Sequence, residues 1–140
     1  MRSVLLLAGL MALLPAAVSA KVQLAQTQAP AGAKFTLHFK VTEGCNGGKA
    51  TDRLSIAMPK TVLNVDPQFV NGWLVSNLHS PAVGDTAIWG SGNLAAKAQG
   101  DFPVVVIMPK KTGPISFTAT QYCGKASEKS AATLDVRPAL

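Results

Sequence analysis

From Lys34 to Val41 the apolar residues Phe35, Leu37, Phe39 and Val41 interleave with Lys34, Thr36, His38 and Lys40. A period of two sends successive side chains to opposite faces, so this run predicts a strand with one buried and one wet face. Arg53 to Met58 repeats the pattern with Leu54, Ile56 and Met58 on one side, and Ile115 to Tyr122 sets Ile115, Phe117 and Ala119 against Ser116, Thr118 and Thr120. Asp101 to Met108 differs, because Val104, Val105, Val106 and Ile107 are apolar on both faces, which predicts a strand covered on both sides. Shorter candidates are Val22 to Gln26, Val62 to Val65, Trp73 to Ser76, Thr86 to Trp89 and Thr133 to Val136.

Turn formers separate these runs: Pro30-Ala31-Gly32, Asn46-Gly47-Gly48, Asn71-Gly72, Gly90-Ser91-Gly92 and Thr112-Gly113-Pro114. Leu94 to Gln99 reads as a loop. Eight or nine short strands without a helical period predict an all-β fold, a single small antiparallel β-sandwich.

The first twenty residues stand apart from that pattern. Arg2 gives a positive start, Val4 to Leu14 is apolar, Pro15 breaks the run, and Val18-Ser19-Ala20 offers the small residues that signal peptidase accepts. The apolar stretch is short of the ~20 residues that span a bilayer. Residues 1–20 are therefore expected to be a cleaved signal peptide, with a domain over 21–136 and a short tail at 137–140. The product is expected to be exported to the periplasm, with no stable membrane insertion after cleavage, and to be a monomer.

Setting Arg2 aside leaves twelve Lys and Arg against seven Asp and Glu, a formal +5. Along the sequence these charges are scattered; only Lys110 and Lys111 are adjacent, and no aromatic residues interleave with a basic cluster. Single-strand binders require that interleaving, so no nucleic-acid partner is expected. In an exported chain, two cysteines as distant as Cys45 and Cys123 favour a disulfide over free thiols or a thiolate metal site, since CxxC spacing is absent.

Catalytic chemistry is hard to assemble. His38 and His79 are the only histidines, and neither sits in a motif that fixes a partner. The carboxylates are scattered, and no Gly-rich phosphate loop is visible, so no enzyme is expected. His38 reads as a surface histidine, and Met58 and Met108, which could ligate Cu(I) as thioethers, read as core residues at strand ends. Trp73 and Trp89 read as packing anchors.

A series of phrases over Lys21 to about Tyr122 resembles the YcnI-like domain family, exported β-sandwich proteins linked to copper handling. Its opening His-Val-Thr-Leu and Ala-Gly turn resemble Lys21-Val22-Gln23-Leu24 and Ala31-Gly32. Gly44-Cys45-Asn46-Gly47, Met58-Pro59, Asn71-Gly72-Trp73, Trp89-Gly90-Ser91-Gly92, Met108-Pro109 and Gln121-Tyr122-Cys123 resemble further family phrases in the same order. The resemblance supports the Cys45–Cys123 bridge and implies a copper site at the mature N-terminal histidine, helped by a carboxylate and a tryptophan. Lys21 departs from that histidine, and Ala131 to Val136 holds no tryptophan. The resemblance thus implies a non-catalytic accessory of copper homeostasis, binding or delivering copper, with a weakened site. Candidate ligands are Lys21, Glu43 and His38, and copper-handling envelope proteins are the expected partners. The other expectation is a metal-independent interaction module of the cell envelope on the same fold.

Overall fold

The computed structural model describes residues 21–46 and 48–139, so the expected signal peptide lies outside the described residues. Ten strands form: β1 (Val22–Leu24), β2 (Gln28–Pro30), β3 (Lys34–Val41), β4 (Arg53–Ala57), β5 (Leu63–Pro67), β6 (Leu74–Leu78), β7 (Thr86–Gly90), β8 (Gly100–Ile107), β9 (Gly113–Cys123) and β10 (Ala126–Arg137). They pack as an all-β sandwich of a four-stranded sheet, ordered β1-β3-β8-β5, and a six-stranded sheet, ordered β2-β10-β9-β4-β7-β6.

The alternation sets the layers. Leu37, Phe39 and Val41 of β3 point inward with Phe102, Val104 and Val106 of β8, and meet Leu54, Ile56, Ala87, Trp89, Phe117, Ala119 and Leu134 of the other sheet. The rings of Phe39 and Phe117 join the sheets edge to face at 5.6 Å, a geometry the ring quadrupoles favour. Phe102 takes both tryptophans, Trp73 at 5.0 Å and Trp89 at 5.4 Å, and the Trp89 indole N–H donates to the Gln68 carbonyl at 2.9 Å. Gly92 is needed here, since a Cβ on it would lie 2.1 Å from the Trp73 ring. Met58 and Met108 are buried, as strand-end core residues should be.

Three features depart from the sequence expectation. Pairing is antiparallel except between β2 and β10, which run parallel over three residues. The chain leaves β1 in the first sheet, bends through Ala25 to Thr27 and joins the edge of the second. β8 is not covered on both sides. In a two-layer fold only its inner face meets another sheet, and Val105 and Ile107 line an open cleft on the outer face. Last, β10 is twelve residues long, not a short strand at Thr133 to Val136, and it reaches Arg137. A two-residue turn at Gly124-Lys125 joins it to β9, pairing Cys123 with Ala126. Gly124 has a φ of 65°, which glycine supplies without strain at the first corner of a tight hairpin.

The strand directions give the sandwich two ends. Lys21, the loop residues 42–46 and 48–52, the loops at 68–73 and 91–99, and the 124–125 turn gather at one; the loops at 31–33, 58–62, 79–85 and 108–112 gather with the end of β10 at the other.

Candidate functional site

The end that holds Lys21 is tied most closely. Cys45, just beyond β3, is bonded to Cys123 at the end of β9, with the two Cα atoms 6.0 Å apart. This bridge links the two sheets and closes a separation of 78 residues, which the chain-entropy model values at ~4.5 kcal/mol. Beside it lies a buried polar knot. The Gln121 side-chain amide donates to the Glu43 carbonyl and the Thr51 hydroxyl, each at 2.7 Å. Both Gln121 and Thr51 are buried, and Gln121 Oε1 has no hydrogen-bond partner among the described residues. The knot fixes the 42–52 loop from inside.

Over that loop sits residue 21. The Thr42 backbone N–H donates to the Lys21 carbonyl at 2.9 Å, continuing the β1–β3 ladder by one residue. The Lys21 ammonium then reaches across to β10. It donates to Asn46 Oδ1 at 2.8 Å and stands 2.9 Å from one Glu128 oxygen and 3.2 Å from the other. The Asn46 backbone N–H donates to the same carboxylate at 2.8 Å. That N–H and then the lysine hold the Glu128 carboxyl below its ordinary value, against the opposing effect of partial burial. Side-chain exposures of 16% for Lys21 and 28% for Glu128 place the pair in the mouth between the sheets, not in free solvent.

The three residues expected as ligands are not brought together. Glu43 follows Thr42 and is near residue 21 along the loop, and its carbonyl accepts from the Gln121 side chain. His38 lies on the outer face of β3, four positions from Thr42 and so about 13 Å away along the strand. Its Nδ1 is 3.1 and 3.2 Å from the two Asp101 oxygens, with Lys40 on the same carboxylate at 3.3 Å. His79 likewise faces Asp85 at 2.7 Å. Burial raises the Asp85 pKa, but hydrogen bonds from Asn77, Ser80 and His79 outweigh it and leave the carboxyl below its usual range. No group of three or more His, Cys, Asp or Glu side chains converges among the described residues.

The carboxylate beside residue 21 is therefore Glu128, which sequence reasoning missed. Its signal was weak: Glu128 follows the Gly124-Lys125 turn by three residues, in a stretch whose inward positions are Glu128, Ser130 and Ala132. A copper(II) ion favours nitrogen donors and tolerates a carboxylate. In contact with the Lys21 side chain stand one carboxylate, Glu128, and one amide oxygen, Asn46 Oδ1, to which the α-amine of residue 21 is added if the chain is cut after Ala20. The Lys21 ammonium has no lone pair to give and lies against both Glu128 oxygens. As they stand, the residues do not fit a tight copper site.

The family described as "Domain of unknown function (DUF1775)" matches residues 21–133. No curated protein matches the chain in sequence. Among solved structures, an uncharacterized protein from Nocardia farcinica with an immunoglobulin-like fold is similar at a TM-score of 0.66 and 16% identity, over 85% of this chain and 98% of that one. A cohesin module from a Clostridium perfringens family 33 glycoside hydrolase gives 0.56 and 15%, over 84% and 94%. The seventh ScaB type I cohesin from Pseudobacteroides cellulosolvens gives 0.53 and 10%, over 85% and 92%. At such identities the likeness is one of fold alone, and that fold is immunoglobulin-like.

Proposed function

This chain belongs to the DUF1775 family, and on that premise we propose that it is an exported, non-catalytic accessory of copper handling of the YcnI-like kind, with a weakened copper site of its own. One observation carries the reading: residue 21, where the resemblance expects the metal-binding histidine, is seated against a carboxylate at a mouth fixed by the disulfide. The lysine, on this reading, stands in for the imidazole and neutralises the acid beside it. On this reading the domain works in the periplasm as a monomer and acts through copper-handling envelope proteins.

A Cu(II) titration followed by electron paramagnetic resonance tests it, on protein beginning at Lys21 and on the Lys21→His variant. An α-amine and an imidazole on one residue form a chelate, so the variant is expected to bind at least tenfold more tightly. Equal binding by the two would remove residue 21 from the account.

A second reading, a metal-independent interaction module, has its own support. β6 is an edge strand exposed along its whole length, with Leu74, Val75 and Leu78 uncovered. Such an edge is suited to receive an extended segment of a partner protein. If neither copper state binds either form of the protein, this reading stands in place of the first.

A further inference from the structure

The end opposite Lys21 collects cations that the sequence disperses. Lys34 opens β3 opposite Ile107 of β8, and Leu63 of β5 faces that same Ile107. The loops at 31–33, 58–62 and 108–112 thus emerge side by side. The Gly32 N–H donates to the Pro109 carbonyl at 3.0 Å, and a Cβ on Gly32 would lie 3.7 Å from Lys110 Cγ. Thr61 and Lys111 line one cleft, which puts Lys60 beside the lysine pair.

Lys34, Lys60, Lys110 and Lys111 are all exposed, and no ion pair reaches any of them among the described residues. The other charges nearby are largely spoken for: Arg137 pairs with Asp135 at 2.9 Å and His79 with Asp85 at 2.7 Å. Asp66 shares the cleft beside Lys34 but forms no ion pair with it. Apolar side chains at this end of the sandwich are uncovered as well. Val83 is 77% exposed, and its neighbour Gly84 packs against the Lys60 backbone; Leu63 and Leu78 are 56% and 64% exposed.

We propose that this end docks on an anionic phospholipid surface, with the four lysines facing headgroup phosphates and Val83 entering the interface. Charge complementarity carries the choice of occupant, and the uncovered apolar side chains favour a lipid surface over an acidic protein, since interfacial binding combines the two contributions. The inference does not depend on copper at residue 21.

Co-sedimentation of the chain from Lys21 tests it, with vesicles of equal parts phosphatidylglycerol and phosphatidylcholine and with phosphatidylcholine alone. Binding is expected to the first only, weakening as salt rises. Each lysine near an anionic surface strengthens partition roughly fivefold, so Lys34→Gln, Lys60→Gln, Lys110→Gln and Lys111→Gln together should reduce it by a factor of several hundred. Lys49→Gln, Lys97→Gln, Lys125→Gln and Lys129→Gln remove the same charge elsewhere and should cost roughly fivefold or less. Val83→Ser should weaken vesicle binding without altering retention on immobilised polyglutamate. The proposal is overturned if phosphatidylglycerol vesicles are not bound or if the two quadruple variants lose binding equally. It is also overturned if polyglutamate is held as tightly as vesicles and Val83→Ser changes nothing, which would point to an acidic protein. Thermal unfolding of each variant confirms that it is folded.

Discussion

At the end of the sandwich that holds Lys21, charges of both signs mix: Glu43, Asp52 and Glu128 stand among Lys21, Lys49, Lys97 and Lys125. There a disulfide and a buried glutamine lock the loops together. At the far end, backbone hydrogen bonds such as Gly32 to Pro109 and Ala31 to Arg137 hold the loops, and four lysines stand without an ion-pair partner among the described residues. The two ends share one core and one set of strands, so the difference lies in the loops. The first end holds one pair in place, residue 21 against Glu128, while the second leaves four lysines exposed. Fixed geometry serves recognition of a small ligand; an open field of like charges serves a broad anionic surface.

The comparison is broken most severely by cutting the tie. Replacing Cys45 and Cys123 together by serine should cost about 2–5 kcal/mol in urea unfolding and should loosen the contact of Lys21 with Glu128, seen as a more ordinary Glu128 pKa by NMR. A loss of stability that leaves that pKa depressed would show that the loop does not need the bridge.

A smaller effect separates the charges. Glu128 titrates below its ordinary value in the folded chain, so its contribution is complete above about pH 4.5 and is lost as pH falls through the lower folded value. Glu128→Gln should therefore flatten the acid side of the stability profile. The change should be below about 1 kcal/mol at neutral pH, because the pair is partly hydrated. The smallest effect belongs to the far end. Neutralising Lys34, Lys60, Lys110 and Lys111 should leave unfolding free energy within about 0.5 kcal/mol of the parent, or raise it slightly by removing repulsion. A larger loss would mean that these lysines hold the loops.

How much of this could be read from the chain depends on the size of the inward side chains. β3, β4 and β9 were legible because Leu37, Phe39, Leu54, Ile56 and Phe117 mark every second position, and the export pattern made the distant cysteines a pair. The first half of β10 was not, because its inward positions are Glu128, Ser130 and Ala132; a strand that buries little apolar surface leaves no period. β2 was hidden by its three-residue length and by Pro30. Residue 21 stands out in the chain only through the resemblance, and the carboxylate beside it, Glu128, lies more than a hundred residues away on a hairpin that alternation could not reveal. The basic end was invisible too: its lysines come from the start of β3 and from two separate loops that only the strand register brings together.

Whether residue 21 and Glu128 act as one metal position is decided by a comparison of two Cu(II) affinities. Lys21→His should bind at least roughly tenfold more tightly with Glu128 present than in combination with Glu128→Gln. Equal affinities with and without that carboxylate would contradict the proposal that the tied end of the sandwich is an altered metal position.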